Sequence, residues 1–216
     1  MSIKAILYDM DGVLIDAREW HFASLNKALA LFGLEISRYD HLTSYDGLPT
    51  RNKLRMLTVE KGLPAGLHPF INEMKQQYTM DCVYNLCRPV FQHEYALSRL
   101  QKEGYLQAVC SNAIRGTVKT MLEKAALLPY IDFYLSNEDV TKPKPDPEIY
   151  NIAIARAGCH PQECLIVEDN DHGIQAAINS GGHVLRVLGP QMVTYDSLVQ
   201  AIAECEAKGR FQGGDA

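Results

Sequence analysis

Ile3-Lys4-Ala5-Ile6-Leu7-Tyr8-Asp9-Met10-Asp11-Gly12-Val13-Leu14 is an apolar, β-forming run that ends in two carboxylates one residue apart, followed by glycine. Such a run predicts a buried parallel strand whose carboxyl end opens on a crevice, where open α/β sheets carry their chemistry. Side chains alternate along an extended strand, so Asp9 and Asp11 start out on the same side. Gly12 lets the chain turn sharply after them. Two neighbouring carboxylates repel unless a cation sits between them or one keeps its proton, so the pair implies a metal or a division between nucleophile and acid. A bare Asp-x-Asp-Gly is also an ordinary acidic turn after a strand, and the rest of the chain has to decide between the two.

Outward from that strand, the pattern turns helical and stays so for about seventy residues. Trp20 to Phe32 carries Phe22, Leu25, Leu29 and Phe32 on one stripe and stops at Gly33. Arg51 to Lys61 and Pro69 to Asn85 predict two further helices. From Glu94 onward the rhythm becomes helix, strand, helix: strands are expected at Tyr105–Cys110, Phe133–Leu135, Cys164–Val167 and His183–Val187. Helices are expected at Glu94–Lys102, Gly116–Leu127, Pro147–Ala157 and Gly173–Asn179. This alternation predicts an α/β fold with a Rossmann-like, doubly wound parallel sheet. The helical run after the first strand predicts an inserted α-helical cap over residues 16–87, with the catalytic core formed by 1–15 and 88–216. From Lys208 to Ala216 the sequence reads as frayed.

The bulk composition excludes several classes of function. The chain has 216 residues, 47% of them hydrophobic, 22% charged, with a net charge of −5. A mildly acidic chain offers no electrostatic footprint for nucleic acid or an anionic membrane. No apolar segment approaches spanning length, and no targeting signal is visible at the N-terminus. Cys82, Cys87, Cys110, Cys159, Cys164 and Cys205 form no Cys-x-x-Cys, so reduced thiols in a cytoplasmic protein are expected.

In a parallel sheet every strand ends at the same edge, so the residues that follow each strand become neighbours. Ser111 and Asn112 follow the second strand; a small hydroxyl and exposed amides there suit a phosphate, although Ser-Asn is also a common helix cap. Thr141-Lys142-Pro143-Lys144-Pro145-Asp146-Pro147 follows the third, and its three prolines stiffen the loop and fix where a lysine points. Glu168 and Asp169, then Asn170-Asp171-His172-Gly173, follow the fourth. With Asp9 and Asp11 these carboxylates make an oxygen-rich site suited to a hard cation such as Mg²⁺.

Together these residues resemble the haloacid dehalogenase-like hydrolase superfamily, in the branch of β-phosphoglucomutase and the phosphoglycolate-phosphatase-like enzymes. Asp9-Met10-Asp11-Gly12-Val13 is similar to its first motif and Ser111-Asn112 to its second. Lys142-Pro143-Lys144-Pro145-Asp146 is similar to its Lys-Pro-x-Pro-Asp third, and Glu168-Asp169-Asn170 with Gly173-Ile174 to its fourth. The resemblance covers the whole chain, with the helical insertion in the place of a C1-type cap.

The resemblance implies a Mg²⁺-dependent phosphatase acting on a small phosphate ester, with Asp9 as the nucleophile that forms an aspartyl-phosphate and Asp11 as acid and base. It implies metal ligation by the side chains of Asp9 and Asp169 and the backbone carbonyl of Asp11, with Glu168 nearby or bound through water. Lys142 would neutralise Asp9 and the phosphoryl group, and Ser111 and Asn112 would hold its oxygens. A β-phosphoglucomutase-like phosphomutase is the alternative, and a non-catalytic binding protein on the same fold is disfavoured by the intact motif residues. A dehalogenase is disfavoured because that branch has no second aspartate at the Asp11 position. Asp16-Ala17 departs from the Asp-Ser or Asp-Thr of many relatives, at the hinge of the cap.

Substrate choice is expected of the cap, where His21, Arg51 and Lys53 are the residues to weigh, with Trp20, Tyr45 and Asp46 beside them. Each has an ordinary reading as well: a packed or solvated helix histidine, a solvated arginine at a helix start, and a helix-surface lysine. Lys53 also raises Schiff-base chemistry of the phosphonoacetaldehyde type, which its setting does not favour. The expected partners are a small-molecule phosphate ester, with no nucleic acid and no membrane, and a monomer or weak dimer is expected.

Overall fold

The computed structural model describes residues 2–211. In chain order the elements are β1 (Ala5–Tyr8), α1 (Arg18–Ala30), α2 (Arg38–Asp40), a π-helical turn (His41–Tyr45), α3 (Thr50–Lys61), α4 (His68–Leu86) and α5 (Phe91–Lys102). There follow β2 (Leu106–Cys110), α6 (Arg115–Lys124), β3 (Phe133–Leu135), α7 (Glu148–Arg156), β4 (Cys164–Glu168), α8 (Asp171–Asn179), β5 (His183–Arg186) and α9 (Tyr195–Phe211). The five strands form one parallel sheet in the order β3-β2-β1-β4-β5. The fold is α/β, with helices surrounding a Rossmann-like sheet.

β1 is buried along its whole length, as a central parallel strand covered on both faces must be. Ala5, Leu7, Ala108, Cys110, Cys164 and Ile166 share one core with Ile149, Tyr150 and Ala153 of α7 and with Ala176 and Ala177 of α8. By alternation, Ile6, Tyr8, Gln107, Val109, Leu165 and Val167 turn to the opposite face. There the buried Tyr8 hydroxyl donates to Gln107 Oε1 at 2.9 Å, and Gln107 Nε2 donates to the carbonyls of Leu97 and Tyr130. A polar pair inside the sheet is tolerable because its groups are hydrogen-bonded.

The chain divides into two units, residues 1–16 with 88–216 and residues 17–87. In the second, α1 packs on α4, and Leu25, Ala28, Leu29, Ile36, Leu54, Leu57, Leu63 and Ile71 form the core. Asn26 fastens the chain after α1 by exchanging two hydrogen bonds with Ile36, at 2.9 and 2.8 Å. α3 ends at Gly62, whose φ of 69° is the left-handed turn that glycine adopts without a Cβ clash.

The structure departs from the sequence reading in a few places. Phe32, placed on the buried stripe of α1, is exposed and meets Phe70 edge to face. α6 stops at Lys124 rather than Leu127. The helix α9 was not expected, although Leu198, Ala201 and Ile202 repeat at helical spacing and are buried. The frayed reading from Lys208 is overturned as far as Phe211, where the backbone is still helical; the rest of that stretch lies outside the described residues. The cysteines are free thiols. Among the described residues, no helix is long and apolar enough to cross a membrane.

Candidate active site

The register of the sheet builds the site. Tyr8 is level with Val109 on one side and Val167 on the other, so the next residues, Asp9, Cys110 and Glu168, emerge side by side at the carboxyl edge. Asp9 N donates to Val167 O at 2.9 Å, which continues the ladder for one more residue and fixes the carboxylate in place. The strand order reverses on either side of β1, and it is at such a switch point that a crevice opens.

The lysine that enters this crevice is Lys144. Its ammonium donates to Asp9 Oδ1 at 2.7 Å, Glu168 Oε1 at 2.7 Å and the Cys110 carbonyl at 2.8 Å, so its three protons have three acceptors. It is 2% exposed. Burial by itself would favour the neutral amine, but the carboxylates of Asp9 and Glu168 outweigh it and hold the lysine pKa above its ordinary value. Burial also pushes the Asp9 carboxyl well up, and Lys144 opposes that push, while Glu168, Asp169 and Asp11 add to it. The Cys110 thiol, fully buried, is pushed up to about 12 and stays protonated.

Lys142, which the sequence reading placed here, lies at the surface. Its side chain is 72% exposed, with Asp146 as an ion-pair partner at 3.8 Å. The reason is in the loop. Glu148 accepts from the backbone amides of Thr141 and Lys142 at 3.0 and 2.8 Å, which ties the outer arm to the start of α7. Lys144 N donates to Asn112 Oδ1 at 3.3 Å, which ties the inner arm to the turn after β2. The sequence contains two overlapping Lys-Pro-x-Pro-acid registers, Lys142 to Asp146 and Lys144 to Glu148. The second leads straight into α7 and is the one the structure turns inward.

Ser111 is buried; its amide donates to Leu135 O, and its Oγ accepts from Ala113 N, each at 3.0 Å. It forms a local turn and is not the cap of α6, whose N-cap residue is Ile114. Asn112 is held against the lysine loop as described.

Asp9, Glu168 and Asp169 each offer a carboxylate oxygen within 4.8 Å of the others, the one such cluster of three or more among the described residues. All three are buried. Asp11, on the next turn, is half-buried, and its side chain is not in the cluster. Glu168 is fully enclosed: Oε1 accepts from Lys144 and from the Tyr150 hydroxyl at 2.6 Å, and Oε2 from Asp169 N and Asn170 Nδ2 at 3.2 and 3.3 Å. Asn170 also bonds Asp169 Oδ1 and caps α8 through Gly173 N.

Two glycines leave the space that these carboxylates fill. A Cβ on Gly12, at φ 89°, would lie 2.0 Å from Asp169 Oδ2, and one on Gly173 would lie 1.9 Å from Glu168 Oε1. An all-oxygen, net anionic cluster backed by a glycine turn fits a hard divalent cation. Gly173→Ala is expected to push Glu168 off Lys144 and to lower stability by about 1–3 kcal/mol, as overpacking does. A lower Tm in thermal unfolding checks this.

The remaining candidates belong to the helical unit. His21 lies on α1 with Nδ1 3.2 Å from Lys75 Nζ. Arg51 is exposed in the first turn of α3, and Lys53, two residues on, is buried. Burial, then the nearby Lys53 charge, lowers the pKa of His41, while Asp46 opposes them. Asp46 also meets Arg18 at 3.3 Å. Tyr45 is a core residue that donates to Glu60.

Comparison with known proteins agrees with the fold. Residues 6–187 match the family model of haloacid dehalogenase-like hydrolases, and the chain belongs to that family. It is 29% identical over 185 residues to a protein named pyrophosphatase PpaX from Bacillus velezensis, covering 83% of this chain and 80% of the relative. It is 29% identical over 179 residues to a phosphoglycolate phosphatase of Aquifex aeolicus, covering 83% and 82% of the two chains. The crystal structure of a β-phosphoglucomutase from Clostridium difficile superposes with a TM-score of 0.81 at 18% identity, over 95% of this chain and 99% of the other.

Proposed function

We propose that this chain is a Mg²⁺-dependent phosphatase that hydrolyses a small phosphorylated metabolite through an aspartyl-phosphate on Asp9. The sugar phosphates, phospho-acids and nucleotide-linked esters are the substrate classes. The observation that carries this reading is a buried Asp9 carboxylate at a strand end, 2.7 Å from a buried ammonium and clustered with Asp169 and Glu168. The relatives named as phosphatases point the same way.

On this reading an oxygen of Asp9 attacks phosphorus, the ester P–O bond breaks, and Asp11 gives its proton to the departing alkoxide. Water then attacks the acyl phosphate, Asp11 takes the water proton, and phosphate leaves with Asp9 restored. Lys144 takes the role first assigned to Lys142 and offsets the charge that gathers on Asp9 and the phosphoryl oxygens, a reading supported by its 2.7 Å contact with Asp9. Ser111 and Asn112 border the same edge and suit those oxygens. Asp9 and Asp169 would hold Mg²⁺ through their side chains and Asp11 through its backbone. Glu168, whose oxygens already accept four hydrogen bonds, would act from outside that shell. The ion supplies charge neutralisation of the phosphoryl group when bound. In the helical unit, His21, Arg51 and Lys53 stay the residues to test for substrate choice.

The test is a panel of phosphorylated metabolites incubated with the protein and Mg²⁺, reading inorganic phosphate, with ³¹P NMR to separate hydrolysis from transfer within a sugar phosphate. Release from at least one member is expected; none from any member would refute the reading. Chelation should abolish the activity and Mg²⁺ restore it. Ca²⁺ should fail to replace it, because its larger and looser shell misplaces the nucleophile. Full turnover after exhaustive chelation would exclude a metal role.

A further inference from the structure

Tyr150 stands in the third position of α7, fully buried beside the aliphatic residues of the sheet core. Phenylalanine would fill that space equally well, yet the hydroxyl is present and directed. It donates to Glu168 Oε1 at 2.6 Å, the same oxygen that accepts from Lys144 at 2.7 Å. The Lys144 ammonium also lies 4.7 Å from the centre of the Tyr150 ring. One side chain therefore meets both members of the Lys144–Glu168 pair.

We propose that Tyr150 is a positioning residue: its hydroxyl shares the charge of Glu168 Oε1, so that Lys144 stays poised toward Asp9 instead of being drawn onto Glu168. This rests on the phosphatase reading and extends it to a residue outside the catalytic set. A lysine between two carboxylates divides its hydrogen bonding according to how much charge each retains. A second donor on Glu168 lowers what that carboxylate can offer the lysine. A phenol is protonated at neutral pH, so the hydroxyl remains a donor to Glu168. The ring face adds attraction for the ammonium.

The experiment is steady-state kinetics of Tyr150→Phe with p-nitrophenyl phosphate and Mg²⁺. A hydrogen bond to a charged group is worth enough to change a rate by about tenfold when it acts on the transition state. The expected result is a kcat lower by about tenfold with KM within about twofold, since ground-state binding of the ester does not depend on the hydroxyl. In the Glu168→Gln background the same substitution should add no further loss, because Tyr150 acts through that carboxylate.

Tyr150→4-aminophenylalanine keeps ring, volume and an N–H donor, and its kcat should stay within about threefold of the unsubstituted protein. This second variant tests the proposal even if Y150F does not fold. A Y150F kcat within twofold, a loss that persists fully in the Glu168→Gln background, or a donor-bearing variant reduced tenfold would each overturn the role of Tyr150 while leaving the phosphatase reading in place. No Mg²⁺-dependent phosphate release by the unsubstituted protein would overturn both.

Discussion

Asp9→Asn should abolish phosphate release, because an amide is a poor nucleophile and cannot form the acyl phosphate. The expected fall is at least about 10⁴-fold, the scale at which a covalent step is lost rather than impaired. Asp11→Asn should behave differently. It leaves the nucleophile and the carboxylate cluster in place and removes the proton carrier, so both half-reactions slow by roughly 10²-fold or more. Acid-quenched phosphoenzyme is the distinguishing measurement: none with D9N, a detectable amount with D11N on an activated ester. Near-normal turnover by D9N would mean that the attacking group lies elsewhere.

The second large effect separates two lysines two residues apart. Lys144→Met removes a cation shared by Asp9 and Glu168, both buried. Breaking a buried ion pair from one side leaves an uncompensated charge and costs about 3–5 kcal/mol. Loss of its electrostatic support should lower kcat by about 10³-fold. Lys142→Ala should do neither, since an exposed pair such as that with Asp146 is worth about 0–1 kcal/mol at most. Thermal unfolding and phosphate release on the two variants decide the assignment. A K142A enzyme as impaired as K144M would restore Lys142 to the site.

That confusion shows where the sequence was legible and where it was not. The parallel sheet could be read because each strand is an apolar run between turn residues, and Asp9, Glu168 and Asp169 could be read because they sit at or just after strand ends. Lys144 could not be separated from Lys142 by pattern, since both are followed by Pro-x-Pro-acid. The choice is made by hydrogen bonds that no pattern displays, Glu148 holding the outer arm from the nearby start of α7 and Asn112 the inner from the turn after β2. The helix α9 went unseen for a different reason: over residues 195–207 only Leu198, Ala201 and Ile202 are buried, while the apolar Val199, Ala203 and Ala207 face outward and blur the stripe. Tyr150 gave no signal at all, because a tyrosine among apolar residues reads as core until its hydroxyl is seen to reach Glu168.

The central place of β1 has a consequence for biosynthesis. Ala5 pairs with Leu106 on one side and Cys164 on the other, so β1 has no neighbour in the sheet until about a hundred further residues have been made. Translation at about 5–20 residues per second leaves this apolar segment unpartnered for several seconds at least. The intervening residues 17–87 form a unit with its own core and can consolidate during that wait. Asp9 meets Glu168 and Asp169 only when β4 has docked. Regain of catalytic activity after dilution from denaturant is therefore expected to follow closure of the sheet centre, where β1 and β4 form the most nonlocal strand pairing of this chain.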